Sequence, residues 1–168
     1  MITPFDSWAC PLDALPMKRI GNSLICPNNH VYDYARAGYI HLLPVQLKKS
    51  HAPGDNKEMV QARRTFLNTG MYTPILNTAT QVAKTYIAKH PMNRCFVFID
   101  AGCGEGYYTV GLIERLHMFV DKNFSVLGFD ISREAIMAAA NRHKKFDWAV
   151  ATNKKIPGLG RGADGAFS

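Results

Sequence analysis

Seven consecutive residues, Asp100-Ala101-Gly102-Cys103-Gly104-Glu105-Gly106, carry the clearest chemical signal in this 168-residue chain. They lie between a continuous apolar run, Cys95 to Asp100, and a segment of helical spacing that starts at Tyr107. Alternate glycines let the backbone pass close to a ligand in conformations that a side chain would obstruct. In an open α/β sheet, ligands lie just beyond the carboxyl ends of the strands, where this turn falls. The spacing is D-x-G-x-G-x-G and not the dinucleotide pattern G-x-G-x-x-G, whose third glycine would fall on Tyr107. A bulky residue there obstructs close helix–strand packing beside a pyrophosphate, which disfavours a nicotinamide-dependent oxidoreductase. A nucleoside carrying a short zwitterionic tail suits the loop better. Asp130, thirty residues after Asp100 at the end of a second apolar run, is placed to accept hydrogen bonds from ribose hydroxyls. The alternative use of Asp130, as a helix cap, is taken by the nearer Ser132, so Asp130 is expected to be free.

A second set of residues has the chemistry of a metal knuckle. Cys26-x₃-His30 has zinc-ligand spacing, and Cys10 opens what would be a C-x₂-C pair, except that position 13 is Asp. Zinc accepts carboxylate oxygen, so Cys10, Asp13, Cys26 and His30 form a chemically admissible set. Closed structural sites generally use thiolate and imidazole, so a knuckle held only by packing stands beside the zinc reading. His41 and His51 are also within reach in sequence, without a spacing that requires them. Cys95 and Cys103 are expected to be neither ligands nor nucleophiles.

These residues need elements to hold them. From Cys95 onward the pattern is strand, glycine turn, helix, strand, helix, strand. The strands are Cys95–Asp100, Phe124–Asp130 and Phe146–Ala151, and the helices Tyr107 to about Met118 and Arg133–His143. Continuous apolar strands alternating with helices imply a parallel sheet with right-handed crossovers. Residues 51–94 read as two helices. Pro53-Gly54 breaks the chain, Asp55 and Glu58 resemble a capping box, and Met59, Ala62, Phe66 and Leu67 give one apolar stripe ended by Gly70. Thr73-Pro74 starts the next helix, with Ile75, Leu76, Ala79, Val82, Ala83, Tyr86 and Ile87 as its apolar face. Residues 1–50 hold short β-prone pieces, Ser23–Ile25 and Tyr39–Leu43, too small to bury much surface without a metal or a neighbouring domain. The tail from Pro157 is glycine-rich and without period.

Five blocks, taken together, resemble the bacterial ribosomal RNA guanine-N1 methyltransferase family. They are C-P-L at Cys10, C-P-x-x-H at Cys26–His30, G-Y-I-H-L-L-P-V-Q at Gly38–Gln46, P-G-D-x-x-E-M-x-Q-A-R-R at Pro53–Arg64, and D-A-G-C-G-E-G-Y-Y at Asp100–Tyr108. L-L-P-V-Q and Q-A-R-R are not general methyltransferase features, which makes the resemblance specific, and it runs from Cys10 to about Pro157. It implies a zinc-ribbon-like RNA-recognition module (1–50), a helical linker packing on the next domain (51–94) and the N-terminal part of a Rossmann-like S-adenosylmethionine (SAM) methyltransferase domain (95–168). The family has Cys where this chain has Asp13. By the resemblance, Tyr72, Gly104 and Glu105 contact the cofactor; the reading of the turn and of the strand-end acid adds Asp100, Gly102, Gly106 and Asp130 to that set. The implied substrate is guanine N1 in a hairpin loop of large-subunit ribosomal RNA, and the implied assembly a homodimer. The family continues beyond the third strand of this sheet, so the chain reads as the front of the domain, with reduced or no turnover alone and an uncovered apolar edge on its first strand. The sequence singles out no general base.

Composition agrees with this class. Hydrophobic residues at 47% and charged residues at 20% describe a globular chain, and a net charge of +7 favours polyanionic partners. Lys48, Lys49, His51, Arg63 and Arg64 lie near Tyr32, Tyr34 and Tyr39 in sequence, cations for phosphates beside rings for unpaired bases, unless they are a plain solvated face. No apolar run is long enough to span a membrane, and the first residues do not read as a signal peptide. A cytoplasmic location with reduced cysteines is expected. The rival class is a non-enzymatic RNA-binding module with a vestigial cofactor half-domain.

Overall fold

The computed structural model describes residues 1–44, 53–90 and 95–158, and the backbone of 165–167. Its central feature is a parallel sheet. Three strands come from the apolar runs: β6 (Phe96–Ala101), β7 (Phe124–Asp130) and β8 (Asp147–Val150), joined by helices α3 (Tyr107–Phe119) and α4 (Arg133–Arg142). Two strands of the N-terminal region extend it. β1 (Ile2–Thr3) pairs with the start of β7, and β5 (Tyr39–His41) forms the edge beyond β8. The remaining short strands, β2 (Lys18–Ile20), β3 (Ser23–Ile25) and β4 (Val31–Asp33), make a separate antiparallel sheet.

Alternation along each parallel strand explains the layering, because successive side chains face opposite sides. Phe96, Phe98, Phe124, Val126, Trp148 and Val150 face one core together with Val110, Ile113 and Leu116 of α3 and Ile136 and Ala139 of α4. Ile99, Leu127, Phe129, Ala149 and Ala151 face the other core. There the N-terminal region takes the place helices usually fill, supplying Phe5, Trp8, Met17, Leu24 and Ile40. The small N-terminal region thus buries its apolar surface against the sheet, answering the size problem its sequence posed.

Four readings are corrected. Helix α1 (Lys57–Leu67) is capped by Asn56, whose Oδ1 accepts from the Met59 amide at 2.9 Å, and not by Asp55. Its buried side is Val60 and Leu67, while Met59 and Phe66 are exposed. Helix α2 (Thr73–Lys89) buries Leu76, Thr80 and Ile87 and exposes Ile75, Val82 and Tyr86. Both helices carry more apolar residues than one face holds, so spacing alone did not select the inner one. Fourth, β6 does not end the sheet: Gly165–Phe167 (β9) pairs with it in parallel, Ile99 opposite Ala166. Three residues are too few to show a period in sequence.

Candidate functional site: a glycine turn and a four-donor knuckle

The glycine turn follows β6 directly. Gly102 and Cys103 donate to the Phe129 carbonyl at 2.8 and 3.1 Å, so the turn is stitched to the end of β7. Gly102, Gly104 and Gly106 take φ of +86°, +56° and +79°, the left-handed region that favours glycine. Their surroundings differ. Among the described residues, a Cβ on Gly102 or Gly104 would meet nothing within 4 Å, whereas one on Gly106 would lie 2.6 Å from Cη2 of Trp148. Gly102 and Gly104 therefore leave an open cradle. Gly106 lacks a side chain because Trp148 needs the room, as does Gly128, whose Cβ would stand 2.3 Å from Cζ3 of the same ring.

Asp130 faces the turn. Its Oδ2 accepts from the Gly104 amide at 3.0 Å and its Oδ1 from the Ser132 amide at 2.8 Å. It is not free as expected, although each oxygen keeps a second acceptor direction for a hydroxyl. Ser132 caps α4 by accepting from the Ala135 amide at 3.1 Å and donates its own hydroxyl to the Asp55 carbonyl at 2.6 Å. Gly54, at φ +87°, makes that clasp possible: a Cβ there would lie 2.7 Å from Cβ of Ser132. The Pro53-Gly54-Asp55 block thus docks on the turn after Asp130, a role that the sequence pattern did not disclose.

The other expected cofactor residues divide. Asp100 is 4% exposed, and its carboxylate accepts from the Thr109 hydroxyl within the protein. Burial, with Asp130 adding and Thr109 opposing, pushes its pKa up to about 6. Glu105 is 2% exposed and paired with Arg64 of α1 and, at 3.5 Å, Arg142 of α4. Its carboxylate ties two helices to the turn. Tyr72 opens α2 with its ring 5.5 Å from Phe66. It is near enough to Tyr108 that, after burial, its phenol is the leading cause raising the Tyr108 pKa. Tyr72 therefore lies near Tyr108 in the first turn of α3. Cys103 is buried, which raises its thiol pKa well above the ordinary value and leaves it a poor nucleophile.

The knuckle lies in the N-terminal region. One donor atom each from Cys10, Asp13, Cys26 and His30 falls within 4.8 Å of the others. His30 Nδ1 is 3.5 Å from the Cys10 sulfur, 3.3 Å from the Cys26 sulfur and 3.2 Å from Asp13 Oδ2, and Cys26 is 3.6 Å from that oxygen. Tetrahedral zinc, about 2.3 Å from sulfur and about 2.1 Å from nitrogen or oxygen, sets its donors roughly 3.3–3.8 Å apart. The set fits. Both ligand turns contain a non-glycine residue at positive φ, Ala14 at 59° and Asn29 at 60°. For Ala14 that costs roughly 1–2 kcal/mol, and such strain persists only where surroundings over-determine it. Asp13 is aimed by the Leu15 amide at 3.1 Å and the Asn28 amide group at 2.9 Å. Burial would raise its pKa, yet these bonds and the two thiols hold it below the usual carboxylate range.

Comparison with known proteins agrees with this geometry. Residues 8–51 match the zinc-ribbon family described as RlmA, N-terminal, and residues 94–154 match a methyltransferase domain. The two matches follow one another along the chain. The chain is 32% identical, over 84% of its length, to the 23S rRNA (guanine(748)-N(1))-methyltransferase of Streptomyces fradiae, covering 47% of that protein. It is 28% identical, over 91% of its length, to the putative 23S rRNA (guanine-N(1)-)-methyltransferase YxjB of Bacillus subtilis (strain 168), covering 52% of it. The chain spans about half the length of the curated relatives it matches. Among solved structures, the plantazolicin methyltransferase BpumL with SAH overlaps 61% of this chain and 37% of that one, at 20% identity and TM-score 0.44.

Of the expected RNA contacts, Lys48, Lys49 and His51 lie outside the described residues. Arg63 pairs with Asp55 at 2.9 Å, and Arg64 is held by Glu105. Neither is a free cation in this arrangement. Among the described residues, no helix is long and apolar enough to cross a membrane.

Proposed function

We propose that this chain is the front half of a SAM-dependent methyltransferase acting on guanine N1 in a hairpin loop of large-subunit ribosomal RNA. The observation that carries the reading is the open cradle over Gly102 and Gly104, with the Asp130 carboxylate bonded to the Gly104 amide at its rim. In this reading Asp130 holds the ribose hydroxyls, Gly102 and Gly104 admit the donor's backbone-side approach, and Tyr72 borders the tail. Glu105 and Asp100 serve as positioning residues, the first through Arg64 and Arg142, the second through Thr109. Bound SAM supplies an electrophilic methyl group on sulfonium; the protein's part is alignment and exclusion of water. Cys10, Asp13, Cys26 and His30 would hold zinc as a structural ion that fixes the turns of the N-terminal region. The relatives' names favour the RNA substrate, and a cytoplasmic site of action and a homodimer belong to the same reading.

Binding tests the reading before turnover does. Equilibrium dialysis with labelled SAM should show saturable uptake that NAD does not displace and that Asp130→Ala removes. Any methylated product from a hairpin RNA should be 1-methylguanosine by mass spectrometry. Displacement by NAD, or a methyl group on another atom, would overturn the assignment.

A further inference from the structure

A second large cleft opens at the other end of the sheet. It has a volume of about 1110 Å³ and is walled by the β2 and β4–β5 region on one side and by the α4–β8 turn on the other. Four basic side chains line it: Arg19, Arg36, Lys144 and Lys145. None makes an ion pair with the described residues; the single acid in the wall, Asp147, accepts from the Phe5 amide at 2.8 Å and attracts Arg19 alone of the four. The wall also contains Tyr34, 8% exposed, whose hydroxyl has no hydrogen-bond partner among the described residues. The Arg19 guanidinium lies over the Tyr34 ring, 4.5 Å from its centroid.

Unpaired like charges on facing walls repel one another, and that repulsion is relieved when an anion enters. Arginine and lysine side chains gathered without paired acids ask for anionic oxygen. We infer that this cleft binds the phosphate backbone of an RNA whose target base is presented at the glycine turn. β7 is seven residues long, so the cleft and the turn at its two ends stand roughly 20 Å apart. The cleft is a holding site remote from methyl transfer, and it locates the basic footprint away from Arg63 and Arg64, whose charges are already spent within the protein. The inference rests on the RNA reading above. An acidic protein segment is the other polyanion such a cleft admits. RNA is favoured because two guanidiniums, each able to take a phosphate bidentately, stand in one cleft with two lysine point charges.

The test compares the whole chain with Arg36→Glu/Lys144→Glu/Lys145→Glu, three exposed positions whose exchange leaves both cores untouched. A milder variant, Lys144→Gln/Lys145→Gln, guards against misfolding, with circular dichroism as the check. Fluorescence anisotropy with a labelled RNA hairpin should show at least about tenfold weaker binding for the triple variant. Its slope of log affinity against log salt should be shallower by about 2, since each phosphate contact contributes roughly 0.7–0.9. SAM uptake should be unchanged. Equal RNA affinity and slope in a folded triple variant would overturn the cleft assignment while leaving the methyltransferase reading intact. Preference of the unaltered chain for polyglutamate over RNA would overturn it too. Failure of the unaltered chain to bind RNA would overturn both.

Discussion

The knuckle and the glycine turn are both candidate ligand sites made from tight turns, and they are built in opposite ways. In the knuckle, four side chains converge and the backbone bends to allow it, even at Ala14 and Asn29 with positive φ. In the turn, side chains are removed so that the backbone itself forms the wall, and only Asp130 enters from outside. The difference sets what each can tolerate. A site made of donor atoms accepts a different donor, so Asp13 can stand where a thiolate is usual. A site made of empty space accepts no addition.

Four measurements would break or sharpen this contrast. The largest effect should come from the knuckle's metal. Structural zinc contributes on the order of 10 kcal/mol to small zinc domains. Part of this N-terminal region is also held by the sheet, so chelation should lower the melting temperature steeply without abolishing the parallel sheet in circular dichroism. One equivalent of zinc in the purified protein, lost in Cys26→Ser, is the accompanying result.

Next come the glycines, which separate space needed by packing from space needed by a ligand. Gly128→Ala and Gly106→Ala push a methyl group into Trp148 and should cost about 1–3 kcal/mol from overpacking. Gly106→Ala adds roughly 1 kcal/mol for its left-handed backbone. Gly102→Ala and Gly104→Ala incur only the backbone cost, yet they should weaken SAM binding far more than they lower the melting temperature. Equal effects on both quantities for all four would erase the distinction.

A third test uses pH. Asp100 is pushed up to about 6 by burial, against roughly 3.9 in the unfolded chain. Between these values the folded state holds a proton that the unfolded state has released, so stability should fall as pH rises from about 4 to 6. The loss is at most about 3 kcal/mol. Asp100→Asn, which still accepts from Thr109, should flatten that slope and be the more stable protein at pH 7. The smallest effect is Asp13→Cys, which should tighten zinc in competition with a chromogenic chelator while leaving SAM uptake unaltered.

The parallel strands and the glycine turn were legible because a fully buried strand is written as an unbroken apolar run, and here two of them end in acids beside a turn. The knuckle was legible from donor spacing, including Asp13. The rest depended on packing across long sequence separations. Nothing local in Pro53-Gly54-Asp55 announces Ser132, 77 residues from Asp55, as its partner. Nothing local in Gly106 distinguishes it from Gly104 until Trp148 is placed beside it. Arg64 reads as a solvated cation until Glu105 turns inward to meet it.

Backbone amide NMR of the zinc-loaded chain, titrated with SAM, tests the central claim most directly. The account predicts saturable shifts at Gly102, Gly104 and Asp130, with the amides of Cys10, Cys26 and His30 unmoved. A folded protein whose Gly102, Gly104 and Asp130 resonances stay fixed at saturating SAM would contradict it.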